Sequence, residues 1–239
     1  MKLDAIEAAN RFVECRFPRC HAALLAGSVV RGDATGTSDL DIVVFDGSIS
    51  SAYRESIDEY GWAIEVLGHN LQSYRDFFQS DCKRARPSLP RMVYEGVVLK
   101  DTGITCGIKS EAEQLLASGP EPWPPETITI KRYRLSDALD DFVGSSREDE
   151  DLFIANTLAD LVHEFFLRTH GQWIGSSKWI LRALKHYDEV FANDFVNAFV
   201  NAFATFYRTG NKCEIVKLVE RVLEPVGGRL FHGFSSGKD

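Results

Sequence analysis

Apolar positions in the first half of the chain keep changing their period. Leu3, Ile6, Ala9, Phe12 and Val13 recur at helical spacing and predict a helix over 3–15. AALLAG (22–27) and DLDIVVF (39–45) are short apolar runs that read as buried strands. Residues 49–60 read as a helix. In WAIEVLGH (62–69), Trp62, Ile64 and Val66 alternate with Ala63, Glu65 and Leu67, the two-residue period of a strand. Helices over 71–80 and 88–95, a strand GVVLKD over 96–101 and a helix at about 108–117 follow.

SGPEPWPPE (118–126) then interrupts every pattern. Four prolines and a glycine in nine residues cannot continue a helix, so a domain boundary is expected there, dividing the chain into 1–118 and 119–239. Beyond it the period is helical throughout, over 133–144, 151–170, 177–187, 189–208 and 211–224, with Gly210 placed like a helix stop. Phe191, Phe195, Phe199, Phe203 and Phe206 form one stripe, which reads as core. The tail from Gly227 has little helical pattern and is expected to lie over the surface or an interdomain groove.

Composition narrows the class. The chain has 239 residues, 44% hydrophobic and 26% charged, the balance of a soluble globular protein. No apolar run approaches the roughly 18 residues of a membrane span. The opening MKLDAIEAANRFVE has the pattern of an acidic amphipathic helix rather than a secretory signal or transit peptide. Five cysteines without a CxxC pair fit a reducing compartment, so a cytoplasmic location is expected. The net charge of −8 argues against bulk nucleic acid as a partner, because that binding depends on neutralised phosphates, and would favour a small cationic substrate.

The chemistry concentrates in AGSVVRGDATGTSDLDIVVF (26–45). Asp39 and Asp41, two apart at the mouth of a strand, face the same side, with Leu40 turned into the core. Two carboxylates that close raise each other's pKa unless a cation lies between them. Hard divalent cations such as Mg2+ take oxygen ligands and are commonly shared between carboxylates and substrate phosphates. Upstream, Gly27 and Ser28 end a strand where backbone N–H groups and a hydroxyl can approach a phosphate.

Gly27-Ser28, ten residues, then Asp39-Leu40-Asp41, with Ser38 just before, resembles the GS…DxD signature of the DNA polymerase β-like nucleotidyltransferase superfamily. The small members most similar to this chain are the aminoglycoside adenylyltransferases and related antibiotic nucleotidyltransferases. The resemblance implies an α+β (mixed α/β) catalytic domain with a short mixed sheet, followed by an all-α helical bundle that completes the substrate cleft. It implies Mg2+, two ions, with ATP or another nucleoside triphosphate as co-substrate, and a small-molecule hydroxyl as acceptor of the nucleoside monophosphate. It assigns Asp39 and Asp41 to the metal and Gly27, Ser28 and Ser38 to the nucleotide.

The resemblance also implies a third carboxylate on a neighbouring strand. Glu65 is the choice, a lone acid in an apolar strand where a charge without a role is costly; Glu95 and Asp101 are the alternatives. In the antibiotic adenylyltransferases the corresponding glutamate acts as general base on the acceptor hydroxyl, and in other branches of the superfamily it is a third metal ligand. Lys178, in GSSKWILRALK, looks like the lysine sent from the helical domain to the nucleotide. Ser176 and Ser177 are expected to cap its helix, leaving a cation in an early turn where it is disfavoured without an anion. Arg31, Arg84, Arg91 and the KRYR run at 131–134 are further cations, expected to be structural or solvated. His163, His170 and His186 lack metal-site spacing and read as packed or solvated. Two other readings compete: an antitoxin-type nucleotidyltransferase acting on or binding a partner protein, and a non-catalytic nucleotide-binding module.

Overall fold

The computed structural model describes residues 2–201, 211–232 and 234, and divides the chain into two compact units, Met1–Gly119 and Pro120–Asp239. In the first unit, helix α1 (Ala5–Arg16) starts where the Asp4 carboxylate accepts the backbone N–H groups of Ile6 and Glu7. Strand β1 (Ala22–Ala26) leads directly into a short helix, α2 (Gly27–Arg31), which the sequence pattern does not predict. Strands β2 (Leu40–Phe45), β3 (Tyr53–Glu59), β4 (Trp62–His69) and β5 (Val97–Asp101) complete a five-stranded mixed sheet in the order β3-β4-β2-β1-β5. β2 and β4 run parallel, and the other pairs are antiparallel.

Alternation along the strands divides the core into two clusters. Leu25, Leu40, Ile42, Val44, Ile64 and Val66 face Ala8, Ala9, Phe12 and Val13 of α1. On the other face Leu24, Val43 and Phe45 pack against helices α3 (Ser73–Lys83), α4 (Ser88–Glu95) and α5 (Thr105–Ser118) through Tyr74, Phe78, Leu89, Val93, Ile108 and Ala112. One expected element is corrected. Where a helix over 49–60 is expected, the chain forms an edge strand, β3, over Tyr53–Glu59. An edge strand exposed on both faces shows no apolar alternation, and β3 is held by its antiparallel pairing with β4. The turn between them, Tyr60-Gly61, has φ of 54° and 80°, the left-handed pair that a two-residue hairpin needs.

The second unit is helical: α6 (Pro125–Gly144), α7 (Glu148–Thr169), α8 (Lys178–Tyr187), α9 (Glu189–Val196) and α10 (Cys213–Leu223). α6 begins eight residues before the apolar pattern predicts, because Pro125 needs no N–H partner in the first helical turn. The helix expected over 189–208 stops being α-helical at Val196 and continues as a π-helical turn, Asn197–Asn201; its remainder, Phe203, Phe206 and Gly210 lie outside the described residues. Phe191, Phe195 and Phe199 are buried, as the stripe predicts. The tail is tied to α6: Arg132 donates to the carbonyls of Gly227, Gly228 and Arg229, and the Leu230 N–H donates to Ser136 Oγ. Among the described residues no helix is long and apolar enough to cross a membrane.

Candidate active site

At the end of β1 the chain turns at Gly27, whose φ of 79° lies in the left-handed region that favours glycine. A Cβ at this position would sit 1.9 Å from Oδ2 of Asp41, so the absence of a side chain also lets the carboxylate lie against the backbone. The sequence pattern suggests glycine here for the approach of a phosphate. In the fold, the Asp41 carboxylate occupies the space that a side chain at Gly27 would need.

The parallel register of β2 and β4 pairs Asp41 with Glu65. Both lie on the face covered by α3, α4 and α5, and Asp39 precedes Asp41 by one two-residue period. Further along β2, Val43 and Phe45 enter the core, whereas the acids lie beyond the apolar cluster. The carboxylate oxygens of Asp39, Asp41 and Glu65 all lie within 4.8 Å of one another, and all three residues are half-buried. Burial, then the charges of Asp39 and Glu65, push the Asp41 carboxyl up to about 6, against the opposing pull of Arg31 and Arg54. Three crowded carboxylates, all hard oxygen donors, form a set suited to a divalent cation such as Mg2+.

Beside them the two serines of the motif meet. Ser28 Oγ donates to Ser38 Oγ at 3.1 Å, and Ser38 Oγ accepts the N–H of Thr35 at 2.8 Å. This bond ties the start of α2 to the entry of β2, so both halves of the GS…SDLD pattern border the acidic cluster. Arg54 of β3 contacts Glu65 at 2.5 Å. Sequence reasoning missed it, because an arginine in a segment read as a helix carries no signal of its own.

The alternative acids are engaged elsewhere. Glu95, at the end of α4, pairs with Arg31 at 3.3 Å and Arg91 at 3.5 Å. Asp101 accepts the N–H groups of Gly103, Ile104 and Thr105 at the start of α5, which holds its carboxyl below the ordinary range. Lys178 is exposed at the first position of α8, in the second unit. The expected serine caps are corrected: Ser177 occupies the cap position at φ 51° without a side-chain capping bond. Ser176 and Ser177 support the helix through backbone carbonyls that accept from Trp179 and Ile180. Arg84 pairs with Asp81, and Lys131 with Glu164. His163 is buried between the carbonyls of Ala159 and Gly175, and His170 bonds the carbonyl of Phe166.

No protein-family model matches this chain, and no curated protein matches it. Among solved structures, the chain is similar to the crystal structure of a nucleotidyltransferase-like protein from Exiguobacterium sibiricum, with 9% identity and a TM-score of 0.48. That likeness covers 93% of this chain and 75% of the other.

Proposed function

We propose that this protein is a Mg2+-dependent nucleotidyltransferase that moves a nucleoside monophosphate, AMP from ATP, onto the hydroxyl of a small-molecule acceptor, with pyrophosphate as the leaving group. The observation that carries the reading is the convergence of Asp39, Asp41 and Glu65 within 4.8 Å, beside the bonded pair Ser28 and Ser38. A bound Mg2+ would polarise the α-phosphate and make the acceptor hydroxyl more acidic. Asp39 and Asp41 would hold that ion, and Glu65 would take the hydroxyl proton or add a third ligand. As the acceptor oxygen bonds to the α-phosphorus, the bond to the bridging oxygen breaks and its electron pair leaves with pyrophosphate. Ser28 and Ser38 would donate hydrogen bonds to phosphate oxygens in place of their mutual bond. An aminoglycoside-like antibiotic is the acceptor class that the sequence resemblance suggests.

The test is pyrophosphate release with Mg2+-ATP and a panel of hydroxylated acceptors that includes aminoglycosides. Asp39→Asn and Asp41→Asn are each expected to reduce release to background while circular dichroism stays native. Full turnover in either variant rejects the metal-site assignment.

A further inference from the structure

One contact in the acidic site has no role in the reaction just described. Arg54 stands on β3, the outermost strand, and its guanidinium crosses the β3–β4 pair to reach Glu65 at 2.5 Å. The register sets Ser56 opposite Glu65, so Arg54 is its diagonal neighbour and shares the face of the carboxylates. The partners differ in freedom. The Glu65 side chain is 15% exposed and its strand is paired on both sides, whereas the Arg54 side chain is 69% exposed on an edge. A largely solvated guanidinium leaves an ion pair at little cost. The half-buried carboxylate loses much more if it is left alone.

Charge then decides where Arg54 goes. The three carboxylates carry three negative charges when ionised, and Arg54 offsets one of them. A divalent ion among the acids competes with the guanidinium for Glu65 and repels it. The displaced arginine stays tethered at the rim of the site. A triphosphate arriving there brings anionic oxygens that match the planar, five-donor fork of a guanidinium.

We propose that Arg54 is an exchangeable counter-cation: it holds Glu65 while no divalent ion is bound, yields Glu65 to the ion, and then binds a phosphate oxygen of the incoming triphosphate. This rests on the nucleotidyltransferase reading above. Its consequence is selectivity, because the site resists a bare cation and favours one that arrives with a nucleotide.

Calorimetry tests it with two probes, Mn2+ alone and α,β-methylene-ATP in saturating Mn2+, on wild type, Arg54→Gln, Arg54→Lys and Asp41→Asn. Arg54→Gln is expected to bind Mn2+ alone about threefold to fivefold more tightly, since a competing ion pair is gone. The same variant is expected to bind the analogue about tenfold more weakly, for loss of a charged hydrogen bond. Arg54→Lys should recover part of both effects. Opposite changes in the two affinities are a signature that a purely structural role would not produce. If Arg54→Gln leaves both affinities unchanged, or moves them in the same direction, the proposal is overturned. Should Asp41→Asn lose Mn2+ while Arg54→Gln matches wild type, only the Arg54 proposal falls. Mn2+ binding equal in wild type and Asp41→Asn would overturn the metal-site reading, and this proposal with it.

Discussion

Asp151 and Asp41, one in each unit, are both withdrawn from water, and the two units treat them in opposite ways. Asp151, 2% exposed on α7, meets the Lys212 ammonium at 2.8 Å. That ammonium also donates to the carbonyls of Phe142 and Ser145, so each group of the set has its partner. Asp41 is instead crowded by Asp39 and Glu65. A buried charge with a matched, fully bonded partner is a structural arrangement, strongly destabilising only when broken. A carboxylate crowded by two others, against which Arg31 and Arg54 pull only in part, still titrates above its ordinary value and gains from further positive charge. The contrast separates a packing device from a candidate binding site, although both are aspartates on regular elements, one buried and one half-buried.

Glu65 gives the largest effect with which to sharpen this contrast. As general base it is expected to lose about 10²–10⁴-fold in turnover on Glu65→Gln, with Mg2+-nucleotide affinity largely kept. Single-turnover rates beside calorimetric titration separate the roles: an equal fall in affinity would make Glu65 chiefly a metal ligand. Asp151→Asn comes next. Leaving the Lys212 charge without its anion should cost about 3 kcal/mol in urea unfolding, with turnover per folded molecule unchanged. A variant as stable as wild type would remove Asp151 from the structural side of the comparison.

The smallest effect is a pH dependence in metal-free protein. The Asp41 carboxyl titrates at about 6 in the fold against an ordinary 3.8. Because the folded value is raised, the folded state binds the proton more tightly than the unfolded chain. The associated stability is complete below about pH 4 and is lost as pH rises through about 6. Discounted for the partial exposure of the group, its size is on the order of 2 kcal/mol. Thermal melts from pH 4 to 7 should show this slope in wild type, little of it in Asp41→Asn, and a flatter curve with saturating Mg2+. Identical slopes in wild type and Asp41→Asn would mean that burial and the neighbouring acids do not raise the Asp41 carboxyl in the folded state.

Much of the framework is legible in local pattern, and the exceptions share a cause. The strands at 22–26, 40–45 and 62–69 are visible because buried strands carry continuous or alternating apolar residues. β3 is hidden because an edge strand buries little, and its only local signal is the Tyr60-Gly61 turn. α2 is hidden because its five residues follow β1 without a break. The start of α6 is obscured by Pro125, which marks a helix beginning as readily as a helix end.

The sequence by itself determined that Asp39 and Asp41 share a face, that Glu65 is an isolated acid in an apolar strand, and that a proline-rich segment separates a sheet-containing half from a helical one. Those are properties of neighbours along the chain, set by the two-residue and 3.6-residue periods. Only the tertiary structure decided that β4 lies parallel to β2 in the register that sets Glu65 beside Asp41, that Gly27 accommodates a carboxylate, and that Arg54 crosses to Glu65. Strand order and register are settled by which distant segments bury their apolar faces together. A shift of one residue would turn every side chain of a strand to the opposite face, and no local spacing along the chain records that choice.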